Sequence, residues 1–376
     1  MQRYEKLLSE LARRGRLRRL EQRRGADFCS NDYLALAGSS AIRRALQEAL
    51  DRGVPAGAGA SRLLRGNDPE HEALEVEAAR FFGAERALFF SSGFLANFAI
   101  WSLLPDRSDV VVHDVLIHAS CREGMRAGAP QRIEVAHNDA NAVEDAISGW
   151  RSSGGRGRPW IAVESVYSMD GDKAPLDDLM AISARHDAML VIDEAHASGV
   201  FGPEGRGLAA AHEGNPHVMC LHTCGKALGA SGALVCGSAP VVDFLINRSR
   251  PFIYSTAPSP LMAVAVRAAL VVLEREPERR IRLLKLIEAT NRSIHEQCDV
   301  PPTGSQIIPV ILGSSSRTMQ LASALQSRGF DVRGIRPPTV PEGTARLRLS
   351  LTLNIDQESA DAMVAALAEE LQRLKP

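Results

Sequence analysis

The chain has 376 residues, 45% of them hydrophobic and 24% charged, with a formal net charge of −1. Its length exceeds what one core usually serves, so two domains are expected, and the composition is that of an ordinary soluble globular protein. The near-zero charge argues against a nucleic-acid or membrane-surface role for the whole molecule, and no apolar run approaches the roughly 18 residues of a membrane span.

Six cysteines (Cys29, Cys121, Cys220, Cys224, Cys236 and Cys298) lie scattered, mostly in apolar runs. They read as reduced thiols, not as a disulfide framework. The N-terminus has no signal-peptide apolar region, and Glu5, Glu10 and Glu21 spoil a transit-peptide reading of its arginines. The expected location is the cytoplasm.

Residues 1–24 read as helical, with Leu7, Leu8, Leu11 and Leu17 among a dense run of arginines that forms a solvated basic face. Ser30-Asn31-Asp32-Tyr33-Leu34 follows as a turn into a helix over 41–51. Four glycines within 53–66 (Gly53, Gly57, Gly59 and Gly66) make a loop whose backbone permits close approach. A helix over 69–82 precedes a strand at 87–90, and the small-residue turn Ser91-Ser92-Gly93-Phe94 opens a helix to 104. Such a strand–turn–helix offers free N–H groups to an anion, so Gly93 and Phe94 are candidates for cradling a phosphate.

A strand at 110–112 leads to His118 at the start of a helix over 118–126, where an imidazole can stack on an aromatic ring. Further on come a strand at 132–136, a helix over 140–151 and a buried strand at 160–166. Ser168 lies just past the end of that last strand. Beyond residue 226, a strand at 232–236, a helix over 241–249, an extended piece at 252–256 and a long helix from 260 are expected. Alternation of strands and helices from about 85 to 240 argues a doubly wound, parallel sheet. Beyond it, a charged helix over 279–297, strands at 307–312, 331–335 and 346–353, and helices over 318–328 and 357–374 make a small α+β domain.

The chain is organised around residues 190–226. Met189-Leu190-Val191-Ile192 is a buried strand ending on Asp193-Glu194-Ala195-His196. Val218-Met219-Cys220-Leu221 is a second strand, leading into His222-Thr223-Cys224-Gly225-Lys226. Ligands of open α/β sheets bind outside the carboxyl ends of the strands, so both polar groups reach one rim. There they describe a site for pyridoxal phosphate (PLP). Lys226 is the Schiff-base lysine, Asp193 the partner of the pyridine nitrogen, His196 a donor to the ring oxygen and Thr223 a phosphate ligand. Asp-Glu-Ala-His also occurs in nucleotide-driven helicases, but that reading needs an upstream phosphate loop of the G-x-x-x-x-G-K-[ST] type, and the sequence has none. Cys220, His222 and Cys224 alternate along one strand face without a second flanking ligand pair, so no metal is expected.

With these residues assembled, the chain resembles the α-oxoamine synthases, PLP enzymes of the aspartate-aminotransferase fold. The resemblance spans nearly the whole chain. It runs through Ser30-Asn31-Asp32-Tyr33-Leu34, Ser92-Gly93-Phe94, His118-Ala119-Ser120, Tyr167-Ser168-Met169-Asp170-Gly171-Asp172, the two rim motifs, Ile253-Tyr254-Ser255-Thr256 and the segment 335–349. Ala35 stands where the family usually has glycine and Cys224 where it has a larger apolar residue, and both read as packing changes.

The resemblance implies a PLP-dependent transferase of fold type I. It has an N-terminal arm (1–37), a large, mostly parallel, doubly wound PLP domain (38–275) and a small C-terminal α+β domain (276–376). It also implies that Lys226, His118 and Asp193 are catalytic, and that Arg348, helped by Asn31 and Ser168, grips the carboxylate of L-alanine. The acyl donor is a pimeloyl thioester of CoA or of a carrier protein. Its distal carboxylate meets Arg18, within the register Arg16–Arg19, and Thr339 also contacts it. Relatives are homodimers with shared sites, so Ser255 and Thr256 reach the partner's phosphate. The rival within the family uses glycine and a shorter acyl donor.

Overall fold

A computed structural model describes residues 1–128 and 131–374. The chain divides into two compact units. The larger comprises residues 34–168 and 173–280, and the smaller 1–33, 169–172 and 281–376.

The larger unit is built on a seven-stranded sheet: β1 (Arg86–Phe90), β2 (Val110–Asp114), β3 (Gln131–Val135), β4 (Pro159–Glu164), β5 (Met189–Asp193), β6 (Val218–Thr223) and β7 (Ala233–Gly237). Their spatial order is β1-β7-β6-β5-β4-β2-β3. Only β7 runs against its neighbours, antiparallel to β1 and to β6, and the other pairs are parallel. Successive side chains of a strand point to opposite faces, so a sheet covered on both sides needs uninterrupted apolar strands. Accordingly Val111, Ala162, Val191 and Leu221 pack with Trp101 and Met125 on one face. Val110, Val112, Ile161, Leu190 and Ile192 pack with Ile147, Trp150 and Leu179 on the other. The carboxyl ends of β1, β2, β4, β5 and β6 lie along one rim, and the register sets Glu164 of β4 beside Asp193 of β5.

In the smaller unit, strand Ala345–Ser350 lies between Gly334–Ile335 and Ile307–Gly313 in an antiparallel sheet. Helices Ser315–Ser327 and Gln357–Arg373 belong to the same unit. Ala26–Asp27 pairs in parallel with Phe330–Asp331, which ties the N-terminal segment to this unit.

Several local expectations are corrected. The first helix spans only Gln2–Arg13, because Gly15 takes a left-handed φ of +64 that ends it, and residues 14–24 are not helical. The piece expected to be extended at 252–256 begins as the helical turn Arg250–Ile253, with Pro251 preorganised in its first turn. The strand expected at 331–335 is two short strands of different sheets. The helix Leu176–His186 has no counterpart in the sequence reading. Its N-cap is Pro175, which makes no side-chain cap, so the usual start signal is missing. Ala35 is more than a packing change, since its φ is +52, a conformation natural to glycine. Among the described residues no helix is long and apolar enough to cross a membrane.

Candidate active site

At the rim of the larger unit, β6 ends on Thr223 and the chain turns through Cys224-Gly225-Lys226. The turn is closed by Gly229 N–H donating to the Lys226 carbonyl at 2.9 Å and Ala230 N–H to that of Cys224 at 2.9 Å. Lys226 Nζ stands 2.8 Å from His196 Nε2, and His196 is buried at 4% exposure. Thr223 Oγ1 donates to the Ala195 carbonyl at 3.4 Å, joining the ends of β5 and β6.

Asp193, 6% exposed, closes β5 and accepts from two donors, Asn97 Nδ2 at 2.8 Å and the Ala195 N–H at 3.0 Å. His118, which follows β2, has its Nδ1 2.6 Å from Ser120 Oγ and 3.2 Å from Ser120 N. The residue is exposed, yet the protein packed around it disfavours the imidazolium. Its pKa therefore lies below the ordinary imidazole value, an effect that Asp193 opposes and Lys226 adds to.

Glu164 ends β4 with no solvent path of consequence (2% exposed). Its Oε2 accepts from the Ser168 N–H at 3.0 Å, and its Oε1 has no hydrogen-bond partner. Burial pushes this carboxyl up to about 8, the charge of Asp193 adding to the effect and that of Lys226 opposing it. Glu194, by contrast, serves the fold: its carboxylate accepts from Ala209 N at 2.5 Å and Ser165 Oγ at 2.8 Å.

Helix Gly93–Leu103 starts at the same rim, with Ser92 as N-cap accepting from Leu95 N at 3.2 Å. The amides of its first residues, Gly93 and Phe94, have no acceptor inside the helix and suit an anion. A Cβ at Gly93 would stand 2.7 Å from the Thr223 methyl, so only glycine lets the helix start approach β6 this closely.

Within the smaller unit, Arg348 is 7% exposed and donates from Nη1 to Ser350 Oγ at 2.7 Å and from Nη2 to Asn31 Oδ1 at 3.1 Å. Arg18 Nη2 donates to Thr339 Oγ1 at 3.0 Å, so the two residues expected at the acyl substrate meet. Arg16 is engaged by Glu342. Arg18 is also near enough to Arg336 for its charge to lower the latter's pKa, behind the larger effect of burial.

Ser255 is half-buried and Thr256 exposed, just past the helical turn Arg250–Ile253 of the larger unit. Away from the rim, Glu213, Cys220 and His222 place donor atoms within 4.8 Å of one another. His222 Nδ1 lies 2.8 Å from Ser198 Oγ, and its Nε2 faces the Glu213 carboxylate at 3.4 Å, a buried imidazole–carboxylate pair. Glu213 was absent from the set weighed in the sequence, because it comes from a loop rather than from the strand.

Asn97, Ser120 and Glu164 are the site residues that sequence reasoning missed. The available signals were faint: Asn97 lies one helical turn after Gly93, Ser120 two residues after His118, and Glu164 at a strand end.

These residues fit PLP. Lys226 offers a primary amine, Asp193 an acceptor for a protonated ring nitrogen, His118 an aromatic face, and the helix start beside Thr223 a phosphate cradle that a Cβ would fill. The family model for aminotransferase class I and II matches residues 23–367. An 8-amino-7-oxononanoate synthase of Anaeromyxobacter dehalogenans (strain 2CP-1) is 42% identical over 93% of this chain and 87% of its own length. Among solved structures, an 8-amino-7-oxononanoate synthase from Francisella tularensis superposes with a TM-score of 0.79 at 28% identity, covering 93% of this chain and 98% of its own. A serine palmitoyltransferase (SPT) carrying PLP does so with a TM-score of 0.86 at 26% identity, covering 92% and 87%. The chain therefore belongs to the aminotransferase class I and II family, with PLP as its cofactor, and within that family to the group of the 8-amino-7-oxononanoate synthases.

Proposed function

We propose that this chain condenses L-alanine with a pimeloyl thioester, releasing the thiol and carbon dioxide and forming 8-amino-7-oxononanoate for biotin biosynthesis. The chemistry rests on one observation: Lys226 Nζ lies 2.8 Å from His196 Nε2, on the strand edge that also presents Asp193. PLP, when bound, supplies a sink for the electron pair left on the alanine Cα.

The protein's own groups do the rest. Lys226 would hold the cofactor through its primary amine, and the same amine would serve as general base for the alanine Cα proton. Asp193, which accepts from Asn97 Nδ2 and the Ala195 N–H, would pair with the ring nitrogen. His118 would stack on the ring and His196 would meet the ring oxygen, while Gly93, Phe94 and Thr223 would hold the phosphate. Arg348, steadied by Asn31 and Ser350, pairs with the alanine carboxylate, and Ser168 assists. Fixing both reactants in this way removes most of the entropy barrier to forming the carbon–carbon bond.

The choice of acyl donor is supported by Arg18, which meets Thr339 and whose guanidinium suits a distal carboxylate. A short acetyl donor has no use for it. The working form is a homodimer in which Ser255 and Thr256 complete the partner's phosphate site. Thiol release by the PLP-loaded protein tests the substrate reading, crossing L-alanine and glycine against pimeloyl-, succinyl- and acetyl-CoA. Release is expected only with L-alanine and pimeloyl-CoA, and Arg18→Ala is expected to raise KM for that thioester on the order of tenfold or more, the worth of one charge-assisted hydrogen bond. Release from glycine and a shorter donor would overturn the substrate claim.

A further inference from the structure

Asn97 is 2% exposed on helix Gly93–Leu103, and its side chain reaches both halves of the rim. Asp193 carries a carboxylate at this point, so only the amide nitrogen of Asn97 can face it at 2.8 Å, which fixes the orientation of the amide. The second proton on that nitrogen goes to Ser120 Oγ at 3.0 Å. Ser120 Oγ is thereby an acceptor toward Asn97, and its own proton is left for His118 Nδ1 at 2.6 Å. The Ser120 backbone N–H, 3.2 Å away, points at the same ring nitrogen. Two donors converge on Nδ1, so that atom carries no proton, and the neutral ring holds its proton on Nε2.

We propose that Asn97 and Ser120 are positioning residues, a directed hydrogen-bond chain that holds Asp193 as an acceptor and locks His118 in the Nε2–H tautomer. The chain couples the group beneath the pyridine nitrogen to the group stacked on the ring, through one amide that serves both. It rests on the reading of this rim as the PLP site, but its central consequence, the state of His118, exists in the protein before any cofactor binds. An apolar residue at position 97 would leave Asp193 one donor short and free the Ser120 hydroxyl to turn away. Loss of the Ser120 hydroxyl alone would loosen His118 and leave Asp193 untouched.

The test is nitrogen NMR of the full-length protein labelled at histidine, with and without PLP, the His118 signals being identified by their loss in His118→Gln. Wild type is expected to show Nδ1 unprotonated and Nε2 protonated. Ser120→Ala is expected to give a mixture of tautomers, and Ser120→Thr, which keeps the hydroxyl, to restore the wild-type signals. Asn97→Leu is expected to give the same mixture and to weaken PLP binding on the order of tenfold, as a buried acceptor loses a partner. A protonated Nδ1 in wild type, or His118 signals unmoved in Ser120→Ala and Asn97→Leu alike, would overturn the proposal. Failure of the wild type to bind PLP would instead strike at the site reading, and the His118 signals would still decide this one.

Discussion

Glu164 carries a consequence that geometry alone would hide. Its carboxyl is buried beside Asp193, and its pKa is pushed from the usual 4.5 to about 8. Between those values the folded protein keeps the proton while the unfolded chain has lost it. Stability contributed by the neutral acid is therefore full below pH 4.5 and drains away as pH rises toward about 8. Glu194, raised to about 7 by burial, contributes a slope of the same sign. Glu164→Gln keeps the shape and removes the titration. Its urea midpoint is expected to fall less than that of wild type between about pH 5 and about pH 8, and an unchanged difference between the two pH values would show that Glu164 is ionised in the fold. Neither this acid nor Asn97 announces itself in the sequence. Each acts through a contact made across the fold, Asn97 with Ser120 and Asp193, and Glu164 with its neighbour strand. Lys226, Asp193 and His196 were legible because strand ends are where an open sheet presents its chemistry.

At the scale of elements, what the sequence reveals follows from how each element is stabilised. Apart from Gln131–Val135 at the sheet's edge, the large sheet's strands carry apolar runs of three to five residues buried on both faces, and such runs can be seen without knowing their neighbours. Helix Pro69–Phe82 is equally plain, with Asp68 capping it, proline in the first turn and Gly83 at φ +81 closing it. Helix Leu176–His186 lacks a side-chain cap and so carries no start signal in the sequence, and the arginine run after Gly15 has helix-forming residues but no buried face to hold them. Ala35 shows a local choice made against the backbone. A left-handed φ at a non-glycine residue costs about 1–2 kcal/mol, and glycine there gives back part of that through the greater freedom of the unfolded chain. Ala35→Gly is thus expected to raise stability by about 0.5–1 kcal/mol, read as a shift in the urea midpoint at constant slope. A loss of stability would mean that the Ala35 methyl makes contacts worth more than the strain it imposes.

At the scale of the whole molecule, the proposed homodimer turns on where Ser255 and Thr256 act. They follow a helical turn on the larger unit, next to Tyr254, which is 76% exposed, on a unit that also exposes Leu64 at 80% and Val76 at 71%. Exposed apolar side chains of this kind suit burial against a second copy. A two-fold arrangement makes the reading testable, because each site then draws Lys226 from one subunit and Thr256 from the other. Co-expressing Lys226→Ala with the double variant Ser255→Ala, Thr256→Ala yields mixed dimers. In these, one site carries both lesions and the other, with an intact Lys226 and an intact Thr256 from its partner, carries neither. Random pairing puts about a quarter of all sites in that intact class, so activity near a quarter of wild type is expected although Lys226→Ala alone has none. If Ser255 and Thr256 served their own subunit, every site in the mixture would hold one lesion, and activity would not exceed what the double variant supplies by itself. The two arrangements therefore give different answers from the same pair of chains, co-expressed, purified together without separating the dimer types and assayed for thiol release.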